Sequence, residues 1–429
     1  MPQSVNYFKW SLGQKVAIRF FFLFFVLYIF FNPNGVFPGI DVLFGIYIEP
    51  FHKLIPWIGK HILHLSYDIT VFTNGSGDTT YDYVVIFFIF MLSLVGCLIW
   101  SVLDRRRASY NQLYYWLTVM IRYYAAFTML TYGFVKVFKL QFPSPSLNRL
   151  LQPYGDSSPM GLAWTFMGYS KGYNYFTGFA EVLGGLLLLF RRTTTAGAIV
   201  TVLVMGNVMA MNYSFDIPVK LLSTTVVIMC LFLLGKDMMR LINFFILNKP
   251  TEAGKTAAPH IRKKWLRISL LSFKVLLVGY TLVMVVYGSY SALSQYGDAA
   301  PKPPLYGIYD VKTFIRNRDT IPPLKTDATR WNKLVINYKG NATLKMITDS
   351  TEYLAFEPDT VAKKITLYKY ADTTHKASFA YTYPEKDLLE MKGHWNGDTL
   401  TIRMQQFDLN KYRLVSRGYN WINEYPYNR

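Results

Sequence analysis

Two cysteines are all that this 429-residue chain contains, and charged residues are scarce for its length. Cys97 and Cys230 both lie inside apolar stretches, and neither belongs to a C-x-x-C pair. This excludes a disulfide framework, a thiolate zinc site and the usual iron–sulfur spacing. Charged residues make up only 17%, against about 25% in an average soluble protein. None of the 6 histidines lies in a long apolar run, which argues against a bis-histidine haem inside a bilayer.

Apolar residues are abundant instead: 52% of the chain is hydrophobic and 17% is aromatic. About 20 consecutive apolar residues suffice to cross a bilayer. Seven stretches meet that length and predict spans at 16–33, 81–103, 113–139, 173–190, 194–213, 217–235 and 266–289. The first stretch also resembles a signal peptide. However, no small-x-small cleavage site follows it, which favours an uncleaved anchor.

The direction of the spans follows from lysine and arginine. The net charge is +19, and many of the basic residues stand between the apolar stretches. A cytoplasmic N-terminus puts about twice as many of them inside as outside, as the positive-inside rule requires. The bilayer is therefore the expected partner. No nucleic-acid partner is expected, because no folded basic domain surrounds these residues. Seven spans would leave everything after residue 289 outside.

The first outer loop, 34–80, is itself rich in apolar residues at helical spacing. Pro50 and Pro56 are expected to break the pattern. The loop therefore predicts a pair of short interfacial or re-entrant helices. His61 and His64, three residues apart in this loop, could share a metal, but a polar interfacial face is the simpler interpretation, and no metal site is predicted.

The composition changes after Ser291, where β-type runs replace the long apolar stretches. Six strands are predicted, at 334–338, 343–347, 365–370, 378–383, 388–395 and 399–404. Asn396-Gly397 between the last two is a strong hairpin signal. We expect an antiparallel β domain of about six to eight strands, a small barrel or sandwich. The aromatic tail after Gly418 is expected to plug or pack it, with ligand binding as the alternative.

Residues 113–235 carry motifs that resemble the DoxX-like family of bacterial membrane proteins. These are G-x-x-K at Gly133–Lys136, G-x-x-E-x-x-G-G at Gly178–Gly185, Arg191-Arg192, Gly206-Asn207, and Asp216–Lys220. The resemblance implies a four-helix membrane unit. It implies redox chemistry only weakly, through the thiosulfate:quinone oxidoreductase subunit from which the family takes its name. It also implies a multi-pass protein of the bacterial inner membrane, with a cytoplasmic N-terminus and a periplasmic C-terminal domain.

The predicted fold class is thus a membrane α-helical bundle with a C-terminal antiparallel β domain. Five regions are predicted: an N-terminal membrane region with two spans at 1–112, the DoxX-like unit at 113–235, a cytoplasmic linker at 236–265, the last span at 266–289 and an extracytoplasmic β domain at 290–429.

Six polar residues are predicted to share the outer half of the four-helix unit: Lys136, Glu181, Asn207, Asn212, Asp216 and Lys220. Glu181 would lie roughly 12 Å from the outer face, at about 1.5 Å per residue. Arg122 would lie nearer the cytoplasm and snorkel there. Ionisable residues inside a span are costly and usually face the bundle or a cavity.

Two interpretations of this cluster stay open. In the first, a buried Glu181–Lys136 pair fixes helix register, and Asn207 and Asn212 make interhelical hydrogen bonds. In the second, the residues line an outward-facing polar pocket. There Glu181 would relay a proton or pair with a cation, and a lysine would hold an anion or a quinone carbonyl.

Two functions follow. One is a redox-linked membrane subunit that binds a quinone or the electron carrier of a membrane or periplasmic protein partner. The other is a non-enzymatic transporter or envelope-assembly protein, whose β domain serves as a periplasmic recognition module. The family resemblance favours the first. Whether the chain is itself an enzyme is left open by the sequence.

Overall fold

The computed structural model describes residues 10–33, 40–71, 77–251 and 263–428. The chain divides into two compact units. The first, here called the helical unit, comprises residues 1–141 and 171–293. The second, the barrel unit, comprises residues 142–170 and 294–429.

The α-helices of the described residues are, in chain order, α1 Leu12–Phe31, α2 Ile40–His61, α3 Thr80–Leu103, α4 Asn111–Val137, α5 Leu147–Leu151, α6 Pro159–Tyr169, α7 Lys171–Leu189, α8 Thr194–Ser214, α9 Lys220–Gly235, α10 Met238–Phe245, α11 Lys264–Gln295 and α12 Arg413–Ser416. Two helix starts carry capping boxes. Ser11 and Gln14 cap α1, and Thr79 and Asp82 cap α3. Each box satisfies backbone N–H groups that a helix start leaves without partners.

Helices α4, α7, α8 and α9 form the centre of the helical unit. Neighbours along this series pack on one another, and α4 also packs on α9. Their shared core includes Ile121, Phe127, Leu188, Val226 and Met229, all essentially inaccessible to water. Helix α1 packs on α3 and α4, and α2 packs on α3.

Fewer helices than the seven predicted are long and apolar enough to cross a membrane. Within the described residues there are four: α1, α3, α8 with the turn before it, and α11. Helices α9 and α10 would make a fifth, but they meet at a bend of 79°. Helices α4 and α7 fall short because they include several polar residues, among them Arg122, Lys136 and Glu181.

Two loop predictions need correction. Helix α2 runs without interruption through Pro50 and Pro56, so the expected pair of short helices is a single helix of 22 residues. The predicted linker at 236–265 contains α10 and the beginning of α11, and its residues 252–262 lie outside the described part of the chain.

The barrel unit contains the strands β1 Gly307–Arg316, β2 Asp319–Thr320, β3 Trp331–Tyr338, β4 Asn341–Met346, β5 Thr351–Asp359, β6 Lys364–Lys369, β7 Asp372–Glu385, β8 Leu388–Trp395 and β9 Asp398–Gln406. All pairings are antiparallel, and the order is β2-β1-β3-β4-β5-β6-β7-β8-β9. Strand β1 also pairs with β9, with Phe314 opposite Ile402. Eight strands therefore close a barrel, and β2 is a two-residue addition to β1.

The barrel confirms the predicted antiparallel β domain. At the predicted hairpin, Asn396 and Gly397 both have positive φ, 52° and 88°, as a two-residue turn of type I′ requires. Strands β1, β2 and β5 were not predicted. The interior is filled by apolar side chains, including Trp331, Leu334, Phe356, Phe379 and Met391.

The aromatic tail does not plug the barrel, contrary to the prediction. Tyr419, Trp421 and Tyr425 are 76%, 89% and 84% exposed. The segment that does pack on the barrel comes from between α4 and α7. Leu147 of α5 joins Ile308 and Val335 in a separate apolar cluster. These two strand residues alternate with the interior residues Tyr309 and Leu334, so α5 covers the outer surface of the barrel wall.

Polar contacts fix the same segment. Ser144 donates its backbone N–H to Asp298 Oδ1 at 3.0 Å, and the backbone N–H of Leu147 donates to Asn337 Oδ1 at 3.1 Å. Asn148 Nδ2 donates to Thr343 Oγ1 at 2.9 Å. Residues 142–170 fall inside the range predicted for the four-helix unit, yet they fold with the barrel.

Candidate functional site

Glycines on α4 and α7 bring the backbones of these two helices into close contact. A Cβ atom added to Gly133 would lie 2.9 Å from the backbone nitrogen of Val182. One added to Gly178 would lie 2.8 Å from the backbone nitrogen of Val137. Both distances are shorter than a carbon atom tolerates, so only glycine lets the two backbones touch here.

Lys136 and Glu181 meet beside this contact. Each stands three residues after one of the glycines, and residues three apart share a helix face. Lys136 Nζ donates to Glu181 Oε1. The two side chains are only 4% and 1% exposed. The glycines of the sequence motif therefore explain how two short segments bring a lysine and a glutamate into direct contact.

One oxygen of the Glu181 carboxylate does not take part in the ion pair. Oε2 is buried and has no hydrogen-bond partner among the described residues. A buried ion pair already carries a large desolvation cost, and an unsatisfied carboxylate oxygen adds to it. Tyr132 of α4 lies close enough to interact electrostatically with Glu181. The site thus offers a donor, Lys136, and an acceptor that can take a proton or a hydrogen bond.

Three of the other predicted residues form a second cluster at the α8–α9 connection. Asn212 is 3% exposed, and its Nδ2 donates to Val219 O at 3.2 Å and to Ser223 Oγ at 3.1 Å. Asp216, whose side chain is 87% exposed, accepts from Lys220 Nζ at 3.1 Å. These contacts shape the connection between the two helices.

Asp78 also belongs to this second cluster, although the sequence did not predict a role for it. Its Oδ2 accepts from the backbone N–H of Lys220 at 2.6 Å, and its Oδ1 accepts from that of Leu221 at 3.0 Å. Asp78 thereby satisfies two N–H groups at the start of α9, where a negative charge is also favoured by the helix dipole. The residue lies 142 positions before its partner, so no local pattern signals the contact.

Asn207 is not part of either cluster, because it lies on an exposed face of α8. The contacts of five of the six predicted residues therefore fall into two groups. Lys136 and Glu181 form a buried pair, Asn212, Asp216 and Lys220 belong to the helix connection, and Asn207 stands apart.

Arg122 does not snorkel to the surface as predicted. It is 7% exposed, and its guanidinium lies at the C-terminal end of α7. Nε donates to Leu188 O at 2.9 Å, and Nη2 donates to Leu189 O at 3.1 Å. The last carbonyl groups of a helix have no partner within the helix, and a cation there also complements the helix dipole. Arg122 is thus a helix cap supplied by a neighbouring helix.

The barrel unit has a site of its own, here called the barrel cleft. The pairing of β7 with β8 ends at Phe379 opposite Gly393. Beyond it opens a cleft of about 510 Å³, lined by His375, His394, Trp395 and others. Trp395 stands edge-on against Trp331, with ring centroids 5.7 Å apart. The cleft combines an aromatic ring with polar groups, which is the usual make-up of a small-ligand site.

The charges of the barrel cleft are largely paired. His375 Nδ1 lies 2.6 Å from Asp372 Oδ2. Hydrogen bonds from Thr374 and His375 hold the pKa of Asp372 well below its usual value. Lys369 and Lys376, which also line the cleft, lie 3.3 and 3.7 Å from Glu352 and Glu357. Among the described residues, no group of three or more histidines, cysteines or carboxylates is arranged to hold a metal ion.

Fold and sites together define a class: a protein of apolar helices with a buried ion pair, joined to a closed eight-stranded barrel. A comparison with known proteins finds a similar sequence. A stretch of 126 residues, 29% of this chain, is 37% identical to "Uncharacterized protein YwoB" of Bacillus subtilis (strain 168) and covers 79% of that protein. The chain belongs to the family of that protein. No protein-family model and no solved structure matches it.

Proposed function

We propose that this chain is a multi-pass protein of the bacterial inner membrane with seven crossings, a cytoplasmic N-terminus and a periplasmic barrel unit. The fact that two distant segments of the chain form the barrel unit supports this arrangement. Residues 142–170 and 294–429 fold as one unit, so both must lie on the same side of the membrane. That requires an even number of crossings between them, which α7, α8, α9 and α11 would supply.

Burial supports counting α4 and α7 as crossings although they are less apolar than the others. Their ionisable residues Arg122, Lys136 and Glu181 are all buried within the protein. Charged groups in membrane helices usually point into the bundle and not towards lipid. The hydropathy of such a helix underestimates how apolar its outer surface is.

For the function, we propose a redox-linked membrane subunit that binds a quinone at the Lys136–Glu181 pair. The observation that carries this proposal is the buried Oε2 of Glu181, which has no partner among the described residues. A bound quinone would supply two-electron, two-proton chemistry, and a partner oxidoreductase subunit would exchange the electrons. Lys136 would donate a hydrogen bond to a carbonyl oxygen, and Glu181 would hold a proton at Oε2.

The test is mass spectrometry of the lipophilic molecules that co-purify with the gently solubilised protein. Glu181→Gln keeps the size of the side chain but removes its charge. Asp216→Asn is the matched control, because it makes the same chemical change at a carboxylate with an exposed side chain. We expect a quinone in the wild type and in the control, and its depletion in Glu181→Gln. Equal quinone in all three samples would contradict the proposal.

A folding control is needed because Glu181→Gln removes the carboxylate that buried Lys136 faces. Cys97 and Cys230 are both buried in the helical unit. The temperature at which they react with a thiol dye therefore reports the unfolding of that unit alone. Quinone loss counts for the proposal only if Glu181→Gln still protects both thiols at the purification temperature. If the thiols become reactive, the double variant Lys136→Met/Glu181→Gln, which leaves no unpaired charge, replaces it.

The second candidate function is an envelope protein in which the barrel unit recognises a ligand, and the barrel cleft favours it. An aromatic ring beside closely paired donors and acceptors suits an uncharged polyhydroxylated molecule better than an ion. Tryptophan fluorescence of the full-length protein, titrated with cell-wall glycan fragments, tests this candidate. Trp395→Ala should abolish the response, and Trp421→Ala, in the exposed tail, should leave it unchanged. No response in the wild type would remove this candidate.

A further inference from the structure

The aromatic tail, residues 419–428, exposes a dense group of large side chains. Four of them are at least 76% exposed: Tyr419, Trp421, Ile422 and Tyr425. The ring of Tyr419 packs edge-on against that of Trp421, with centroids 5.3 Å apart. Single exposed apolar residues are ordinary, but a contiguous exposed group of this kind usually marks a binding surface. The tail is therefore a candidate for contact with another molecule.

The polar side chains of the tail bond to one another and to Arg417. Arg417 Nη2 donates to Asn423 Oδ1 at 2.6 Å, and Asn423 Nδ2 donates to Asn420 O at 3.3 Å. Asn420 Nδ2 donates to Arg417 O at 3.3 Å. These bonds satisfy part of the hydrogen-bonding capacity of the tail without water. They lower the free-energy cost of moving it from water into a less polar environment.

Basic residues stand beside the aromatic tail. Between residues 411 and 428 the chain carries three cations, Lys411, Arg413 and Arg417, against one anion, Glu424. All four of these residues are exposed. Asn423 and Tyr427, which contact the guanidinium of Arg417, carry no charge. The segment thus combines exposed aromatic rings with an excess of positive charge.

We propose that the aromatic tail is an interfacial anchor, which inserts its rings into the headgroup region of a bilayer that contains acidic phospholipid. Tryptophan and tyrosine concentrate at membrane interfaces, where one end of the ring system is apolar and the other reaches water. Basic residues beside them are attracted to anionic headgroups. A surface of acidic lipid matches both the exposed rings and the positive charge of the segment.

The covalent structure keeps the bilayer within reach of the barrel unit. Helix α6 belongs to the barrel unit and α7 to the helical unit, and Ser170 alone separates them. The inference rests on the proposed membrane location, in which α7 is a crossing, and not on the quinone site. In that arrangement the barrel unit is tethered to the membrane surface by its own chain.

Fluorescence quenching of the full-length protein, in nanodiscs that hold one copy each, tests the inference. Cys97 and Cys230 are buried, so a thiol dye attaches to the new cysteine of Asn428→Cys. Spin-labelled lipid in the nanodisc quenches a dye that lies at the bilayer. We expect quenching in phosphatidylglycerol and weaker quenching in phosphatidylcholine. A dye on Leu98→Cys, at a 62% exposed position of α3, controls for the membrane location and should be quenched in both lipids.

Two sets of variants separate the rings from the charges. Trp421→Gln/Tyr425→Gln should abolish quenching of the dye at position 428. The matched control, Tyr353→Gln/Tyr370→Gln, removes two exposed rings elsewhere in the barrel unit and should leave quenching unchanged. Lys411→Gln/Arg413→Gln should lower the ratio of quenched to unquenched dye by roughly 30-fold in phosphatidylglycerol only, at about 1 kcal/mol per cation.

Four results would overturn the inference. The first is no quenching at position 428 while the dye on Leu98→Cys is quenched, which leaves the membrane location standing. The second is undiminished quenching in Trp421→Gln/Tyr425→Gln, because the tail would then lie near lipid without inserting its rings. The third is equal quenching in the two lipids. The fourth is shielding of the dye only when two copies share a nanodisc, since the tail would then bind a second copy of the chain.

Discussion

The helical unit buries more of its charged residues than the barrel unit, where Arg330 and Glu390 are the charged residues that are buried among those described. In the barrel unit, ion pairs such as Glu390 with Arg403 sit on the wall, where Arg403 is 55% exposed and the interior is apolar. In the helical unit, Arg19, Arg122, Lys136 and Glu181 are buried, while many large apolar residues are exposed. The difference is that expected between a protein surface facing water and one facing lipid. We therefore expect that replacing an exposed partner such as Arg403 costs less stability than replacing one partner of the buried Lys136–Glu181 pair.

The largest effect should come from breaking the buried pair on one side only. Lys136→Met leaves Glu181 buried without a cation, which typically costs about 3–5 kcal/mol. The double variant Lys136→Met/Glu181→Gln should recover most of this loss. Lys220→Met, which removes the partner of the exposed Asp216 side chain, should cost below about 1 kcal/mol. The temperature at which the two buried thiols react with a thiol dye measures the stability of all three variants. Equal losses for Lys136→Met and Lys220→Met would contradict the contrast between buried and exposed pairs.

Arg122 provides the next largest contrast. Arg122→Met removes both hydrogen bonds to the carbonyl groups that end α7, each from a charged donor. We expect a loss of about 2–3 kcal/mol in the same thiol assay. Arg192→Gln, an exposed cation at the same end of the bundle, is the control and should change stability by less than about 0.5 kcal/mol. A neutral result for Arg122→Met would mean that water satisfies these carbonyl groups equally well.

Glycine substitutions separate close packing from helix propensity. Gly178→Ala forces a methyl group onto the backbone of α4 and should cost about 1–3 kcal/mol. Gly206→Ala, where nothing lies within 4 Å of the added Cβ, should instead gain up to about 1 kcal/mol. Opposite signs in the thiol assay are the expected result. Stabilisation by both substitutions would contradict the contact between α4 and α7 that brings Lys136 to Glu181.

The smallest expected effect is on how the stability of the barrel unit depends on acidic pH. Hydrogen bonds from Lys392 and Arg403 lower the pKa of Glu390. A lowered pKa contributes stability above the pKa of the unfolded chain, about 4.3, and this is lost as the pH falls through the folded value. Arg403→Gln should therefore flatten the acid dependence of barrel stability, by below about 1 kcal/mol because Arg403 is half exposed. Amide hydrogen exchange of β8 and β9 between pH 3 and pH 6 would measure it. An unchanged acid dependence would contradict the assignment to Glu390.

Much of the local structure could be predicted from the sequence, because it depends on neighbours in the chain. The turn at Asn396-Gly397 follows from residues that tolerate positive φ. The Lys136–Glu181 contact joins two helices, and the sequence offered it as one of two open interpretations of the polar cluster. Other contacts between residues far apart in the chain could not be predicted. The long side chain of Arg122 had several possible partners, and Asp78 reaches α9 over 142 residues. The assignment of residues 142–170 to the barrel likewise depends on contacts between distant parts of the chain.

That last contact has a consequence for how the protein is made. Ser144 bonds to Asp298, 154 residues further along the chain. Ribosomes add about 5–20 residues per second, so roughly 8–30 s separate the synthesis of the two partners. During that interval the segment that will cover the barrel wall has been made, but Leu147 does not yet have its partners Ile308 and Val335. The wall of the barrel is therefore covered only after β1 and β3, which carry Ile308 and Val335, have been made.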